Sequence, residues 1–287
     1  MHQIEPQNLL QLPNWKCTLG CPILDRLLDG GIPCNSVTEI VAESGSGKTQ
    51  LCLQLLLSAQ IPLSRGGLGA ASIYIHSEFP FPSRRLKQIS LSLLSSSSNN
   101  PLDRIFVQGA LTPEELLVLL DRAEYLISGS ANDSFPIKLI VIDSIAALFR
   151  SEFDNTPTDL KRRSSLFFKI AAKLKLLARK FNLAVVVSNQ VTDLVGSGDG
   201  ANSLRVGNYG ALYSSGRRVC PALGLSWASC VNSRVFLSRT DEVVNTGGEG
   251  EEIVQTRRKM QVVFAPHLPE SSCEFVILRE GVFGVNF

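Results

Sequence analysis

The octapeptide Ala42-Glu-Ser-Gly-Ser-Gly-Lys-Thr49 constrains this chain more than any other stretch. An apolar run, Val37-Thr-Glu-Ile-Val-Ala42, leads into it, and a helical run from Thr49 to Leu57 leads out. A buried strand, a glycine-rich turn and a Lys-Thr pair that opens a helix form the arrangement that wraps a polyphosphate. The glycines let backbone N–H groups turn inward, and the helix N-terminus adds partial positive charge. In this reading Ala42, Glu43, Ser44, Gly45, Ser46 and Gly47 build the loop. The Lys48 ammonium reaches the outer phosphates, and the Thr49 hydroxyl is a ligand of Mg²⁺. A mobile Gly/Ser turn is the competing reading, and the flanking strand and helix argue against it. Ala42 stands where the strictest pattern has Gly, so its φ must stay negative.

The 287 residues suffice for one large α/β domain, or a domain with a small appendage. A net charge of +2 assigns any nucleic-acid contact to local basic clusters rather than to bulk charge. The seven cysteines are scattered, odd in number and without zinc-ribbon spacing, which suits a reducing compartment. Cys17 and Cys21 have no matching cluster to complete a metal site. No apolar run approaches the ~20 residues needed to span a bilayer. The N-terminus lacks a charged-then-apolar leader pattern, so a cytosolic or nuclear protein with no membrane partner is expected.

Residues 1–15 read as a flexible polar tail, and residues 16–287 as a single domain. A short amphipathic helix spans Ile23 to Leu28, closed by Gly30-Gly31. Further strands are expected at 70–75, 104–107, 138–143, 183–190, 233–238, 260–264 and 274–278. Helices are expected at 82–94, 112–128 and 159–180. A Gly/Ser-rich stretch at 196–216 reads as a structureless insertion. Near-continuously apolar strands alternating with helices predict an α/β fold with a mostly parallel sheet covered on both faces. The last strands predict an antiparallel extension at one edge.

Three polar residues stand at ends of these strands, where ligands of parallel sheets bind. Asp143 ends an apolar strand and reads as the carboxylate that orients Mg²⁺ through water. Glu78 follows the strand at 70–75 and reads as the acid that polarises an attacking water. Gln190 ends another strand, just before the Gly-rich stretch, and reads as a sensor of the terminal phosphate. Arg150, Lys161, Arg162 and Arg163 flank a polar loop, and Arg205, Arg217 and Arg218 lie in the Gly/Ser-rich stretch. These basic residues are the candidates for contact with a nucleic-acid backbone. Each also has an ordinary reading as a strand terminus or a solvated surface charge.

These residues together resemble the RecA-type recombination ATPases, in particular the eukaryotic recombinases and their paralogues. The similarity runs from about Thr18 onward. It rests on Leu19 to Ile32, Gly47-Lys-Thr-Gln50, Tyr74-Ile-His-Ser-Glu78, Arg84-Arg-Leu86, Leu139-Ile-Val-Ile-Asp-Ser144 and Ser188-Asn-Gln-Val191. Arg150-Ser-Glu-Phe-Asp154, Val219 to Ala228 and Ala265 to Cys273 narrow it to one paralogue branch. The resemblance implies a RecA-like core, ATP with Mg²⁺, and DNA-dependent ATP hydrolysis. It implies a nuclear role, with some cytoplasmic protein, in homologous-recombination repair of double-strand breaks and crosslinks. It adds Gln50 to the nucleotide loop and gives Arg85 the place that stacks on adenine. Residues 151–163 and 191–219 match the family's two DNA-binding loops, which are expected to be mobile without DNA.

Partners implied by the resemblance are single-stranded or branched DNA and other recombinase paralogues, especially the C-lettered one, with the strand-exchange recombinase a further candidate. Three departures bear on assembly. The family's preceding helical DNA-binding domain is not expected here. The aromatic-x-x-Ala polymerisation motif has no clear place, and Phe264-Ala265 stand where an acid caps a neighbour's ATP. The departures favour a mediator in a small hetero-oligomer. A nucleotide-stabilised scaffold, an active strand-exchange recombinase and a helicase core are the alternatives.

Overall fold

The strands around the phosphate loop are largely apolar because both of their faces are covered. Side chains alternate across a sheet with period two. Ile40, Leu139, Val141, Ala184 and Val186 point into one hydrophobic cluster, while Val37, Ile140, Ile142, Val185 and Val187 point into another. The computed structural model describes residues 15–78, 80–94, 100–150, 153, 156–194, 212–245 and 254–285. Thus the tail at 1–14, Arg205 and most of the expected second DNA loop lie outside the described residues.

Strands β1 (Lys16–Cys17) and β2 (Ile32–Pro33) form a small antiparallel pair. Strands β3 (Ser36–Ala42), β4 (Ala71–His76), β5 (Ile105–Gly109), β6 (Ile137–Asp143) and β7 (Ala184–Asn189) follow. Strands β8 (Val191–Asp193), β9 (Leu212–Ser214) and β10 (Arg217–Pro221) make a separate three-stranded sheet in the order β8-β10-β9. Strands β11 (Ser233–Asn245), β12 (Val254–Phe264), β13 (Ser272–Ile277) and β14 (Val282–Val285) complete the set. The main sheet has nine strands in the order β14-β13-β12-β11-β3-β7-β6-β4-β5. From β11 to β5 every pairing is parallel, and β12, β13 and β14 extend it antiparallel. The expected RecA-like sheet with an antiparallel C-terminal edge is therefore the one observed.

Helices α1 (Pro22–Leu27), α2 (Lys48–Ser58) and α3 (Ser83–Leu93) cover one face. Helices α4 (Pro113–Gly129), α5 (Pro157–Phe181) and α6 (Gly224–Ala228) cover the other. The long helices start where local chemistry demands. Thr112 accepts the Glu115 N–H at 3.1 Å while Glu115 accepts the Leu111 N–H at 2.7 Å, so two orphan donors are satisfied together. At α5, Thr156 accepts the Asp159 N–H, Pro157 takes the first helical position, and Asn182 ends the helix at φ 49.

Two local expectations change. The Gly/Ser-rich stretch is not structureless throughout: from Leu212 it forms the β9–β10 hairpin, turning at Ser215-Gly216 with φ 49 and 70. Arg217 and Arg218 therefore sit on a strand, where pairing with β9 fixes their backbone. The first expected DNA loop ends earlier than 163, since α5 begins at Pro157. Lys161, Arg162 and Arg163 stand on that helix.

A charge is buried at the centre of the sheet. Glu39 of β3 is 0% exposed and Arg234 of β11 is 1% exposed, with Arg234 Nε 2.5 Å from Glu39 Oε2. Asn189 Nδ2 at 2.7 Å and Trp227 Nε1 at 3.0 Å donate to the other oxygen, Oε1. Four elements (β3, β7, β11 and α6) are thus tied to one carboxylate just behind the phosphate loop.

Candidate functional site

Parallel register brings the carboxyl ends of the central strands together. Val41 lies opposite Asn189, Leu237 opposite Ala42, and His76 opposite Asp143. Residues one to three positions past these ends share one cleft of about 1270 Å³. It brings together Lys48, Thr49, Gln50, Glu78, Arg85, Asp143, Arg150 and Gln190.

The loop between β3 and α2 meets the requirements of its sequence. Gly45 and Gly47 take φ of 80 and 106, the left-handed region that glycine supplies without steric cost. Ala42 does not have a positive φ, so its Cβ is tolerated. Lys48 Nζ donates to the carbonyls of Ala42 at 2.7 Å and Glu43 at 2.9 Å. Burial lowers the Lys48 pKa from its ordinary value, and the charge of Asp143 opposes that shift. Helix α2 has no side-chain cap, which leaves its first N–H groups facing the loop. Ser46 Oγ is buried with no partner among the described residues. Uncapped N–H groups, an orphan hydroxyl and a lysine together fit a polyphosphate.

Asp143 sits beside this loop and collects three hydroxyls. Thr49 Oγ1 donates to Oδ2 at 2.7 Å, Tyr74 OH donates to the same oxygen at 2.9 Å, and Ser188 Oγ donates to Oδ1. Burial, then the Asp143 charge, push the Tyr74 phenol far above its ordinary value, so it stays a neutral donor. The two residues expected to share Mg²⁺ are thus adjacent. Further along the cleft, Gln190 Nε2 donates to Glu78 Oε1 at 2.9 Å, and Arg150 Nη1 lies 3.4 Å from the same oxygen. The expected acid and the expected sensor, over a hundred residues apart in sequence, are in contact.

Arg85 marks the other end of the cleft. Its guanidinium donates to Gln50 Oε1 at 2.6 Å, to Gln88 Oε1 at 2.5 Å, and to the carbonyls of Leu278 at 2.6 Å and Arg279 at 2.8 Å. The last two carbonyls belong to the turn after β13, which sequence reading did not connect with this site.

The basic candidates divide. Arg150 lines the cleft and also a second cavity with Phe149, Phe153, Leu160, Arg163 and Gln190. Arg162 pairs with Glu114 at 2.7 Å on the surface. Arg218 is exposed on β10. Arg217 is held by Glu43 at 2.9 Å and by Asp193 at 3.0 Å, and it lines the same cleft. Two more arginines line the cleft, Arg239 and Arg258. Sequence reading missed both, and no local signal marks them. They reach the loop only because β11 pairs with β3.

A glycine-rich loop between a central strand and a helix, a carboxylate on a neighbouring strand and this strand order define a RecA-like phosphate-loop fold. The profile of the Rad51 family matches residues 14–208, and the chain belongs to that family. It is 54% identical to the DNA repair protein XRCC3 homolog of Arabidopsis thaliana, over 99% of this chain and 98% of that protein. It is 34% identical to the DNA repair protein XRCC3 of Bos taurus, over 99% of this chain and 79% of that one. It is also 32% identical to the DNA repair protein RAD51 homolog 2 of Mus musculus, over 90% and 72% of the two chains.

Proposed function

We propose that this chain is an ATP-dependent, DNA-binding mediator of recombinational repair, working in the nucleus with other Rad51-family paralogues. The observation that carries the reading is the single cleft holding two functional pairs, Thr49 with Asp143 and Glu78 with Gln190. The names of its relatives support the repair role, since each is called a DNA repair protein.

Lys48 binds the outer phosphates of ATP, and Arg85 with Gln50 bounds the adenine end. Thr49 and Asp143 would hold Mg²⁺, which would supply charge neutralisation to the phosphates. Glu78 orients the attacking water, and Gln190 reads whether the terminal phosphate is present. Because Gln190 runs directly into β8, loss of that contact changes the position of the small sheet. DNA contacts come from Arg150, Lys161, Arg163 and Arg218, with Arg205 outside the described residues and Arg162 available when it leaves Glu114. Phe153 beside Arg162 and Arg163 adds a ring on which a base can stack.

Glu78→Gln is expected to slow ATP turnover about tenfold to a hundredfold while leaving ATP affinity within about twofold, because the carboxylate acts on water rather than on the bound nucleotide. Single-turnover hydrolysis and equilibrium binding, measured with DNA and a paralogue partner present, separate the two effects. Equal turnover in the variant removes Glu78 from the chemistry. A wild-type chain with no turnover under those conditions removes hydrolysis from the proposed function.

A further inference from the structure

Three arginines crowd the cleft beside the phosphate loop, and two of them share the carboxylate of Glu43. Arg239 and Arg258 are directly paired across β11 and β12, a cross-strand arrangement that like charges disfavour. Arg217 approaches from the β9–β10 hairpin. Glu43 stands among them, only 6% exposed, and takes Arg217 Nη2 at 2.9 Å and Arg239 Nε at 3.0 Å. Ser214 Oγ donates to it at 2.8 Å, and Ser215 Oγ donates to it as well. Burial alone would raise the Glu43 pKa, but these hydroxyls and the two arginines hold it below its ordinary value.

The neutralisation is incomplete. Arg239 is bound through Nε, and among the described residues its Nη1 and Nη2 donate to nothing. Its Nη1 lies 3.1 Å from where a Cβ on Gly45 would stand, so the free end of the guanidinium rests on the tip of the loop. Arg258 donates from Nη1 to Thr256 O, and its Nε is buried without a partner among the described residues. Burial, then the nearby Arg239 charge, lower the Arg258 pKa. Three guanidinium groups set against two carboxylates, Glu43 and Asp193, leave net positive charge and unused donors at a fixed place. Arg217 also bonds Asp193 on β8, the strand that begins just after Gln190, so this place lies next to the residue proposed above to read the terminal phosphate.

We propose that Arg239, backed by Arg258 and Arg217, binds the terminal phosphate of ATP held by the same chain, and that Glu43 is the counter-ion these arginines keep when no nucleotide is bound. The proposal rests on the nucleotide-site reading of the loop. An arriving triphosphate competes with Glu43 for the arginines. Arg217 and Ser214 then loosen from the loop, and with them the hairpin at one end of the 195–211 segment. Nucleotide charge is thereby exchanged for a hairpin contact.

The test is a titration of the full chain with fluorescent ATP and ADP analogues, alongside melting of the ligand-free protein. Arg239→Ala is expected to weaken ATP binding about tenfold or more, as loss of charged hydrogen bonds implies, and to change ADP binding less than about twofold. Arg239→Lys keeps the charge and is expected to recover part of the loss. Glu43→Gln gives the sharper reading. It is expected to tighten ATP binding about fivefold by removing the competing carboxylate, on the order of 1 kcal/mol, while lowering the melting temperature of the ligand-free chain. A merely structural Glu43 would lower both. ATP binding unchanged in Arg239→Ala, or weakened in Glu43→Gln, overturns the proposal. So does a loss in Arg239→Ala that appears only at protein concentrations where chains associate, because the arginine would then serve a neighbour's nucleotide. If Lys48→Ala leaves ATP binding intact, the nucleotide-site reading itself fails; if Lys48→Ala abolishes binding and Arg239→Ala does not weaken it, only this inference fails.

Discussion

Lys48→Ala is expected to weaken ATP binding about a hundredfold or more, since hydrogen bonds to charged groups are each worth roughly 1.5–3 kcal/mol and this lysine has no substitute within the loop. Its ammonium rests on the Ala42 and Glu43 carbonyls, at 2.7 and 2.9 Å, so it is already in place before a nucleotide arrives. Arg239 at the far side of the loop does not replace it, because it approaches the tip at Gly45 rather than the first turn of α2. The loop backbone should survive the change, held by the left-handed Gly45 and Gly47. Calorimetric titration of both proteins with ATP measures the loss. Equal affinity would remove the phosphate-loop assignment and every role that depends on it.

Arg234→Ala is expected to cost about 3–5 kcal/mol of folding stability, the usual penalty for leaving one partner of a buried ion pair behind. Glu39 is fully buried and would keep only the Asn189 and Trp227 donors. The damage reaches the site, because Asn189 precedes Gln190 and β3 carries the phosphate loop. Replacing the pair together, Glu39→Met with Arg234→Leu, should recover most of the stability, since no charge is then stranded. Denaturant unfolding of the single and double variants decides it. A neutral single variant would mean that water or a neighbouring group reaches Glu39.

Much of this architecture is legible in the sequence because its signals are local. The parallel core is spelled out by apolar runs such as Leu139 to Ile142 and Ala184 to Val187, and α4 by a threonine cap followed by Pro. The loop, Asp143, Glu78 and Gln190 are each legible as residues at the carboxyl end of a strand. What escapes is whatever depends on pairing between distant segments. The β9–β10 hairpin lies in a stretch whose Gly and Ser content carries no periodicity, and β14 is only four residues long. Arg239 and Arg258 look like ordinary strand charges until β11 is set beside β3 in parallel register. Glu39 did carry a local signal, a charge within an apolar strand, which requires a buried partner. Its partner, Arg234, lies nearly two hundred residues away, and only the fold identifies it.

In the proposed reading, nucleotide state and DNA contact are one problem. Arg150 touches Glu78 in the cleft beside the phosphate loop and also lines the cavity with Phe153 and Arg163. The most direct measurement is the affinity of the chain, in complex with a paralogue partner, for single-stranded DNA with ATP, with ADP and with no nucleotide. The account predicts tight binding with ATP only, falling to the nucleotide-free level in Lys48→Ala. Identical DNA affinity in all three states, unaffected by Lys48→Ala, would contradict it.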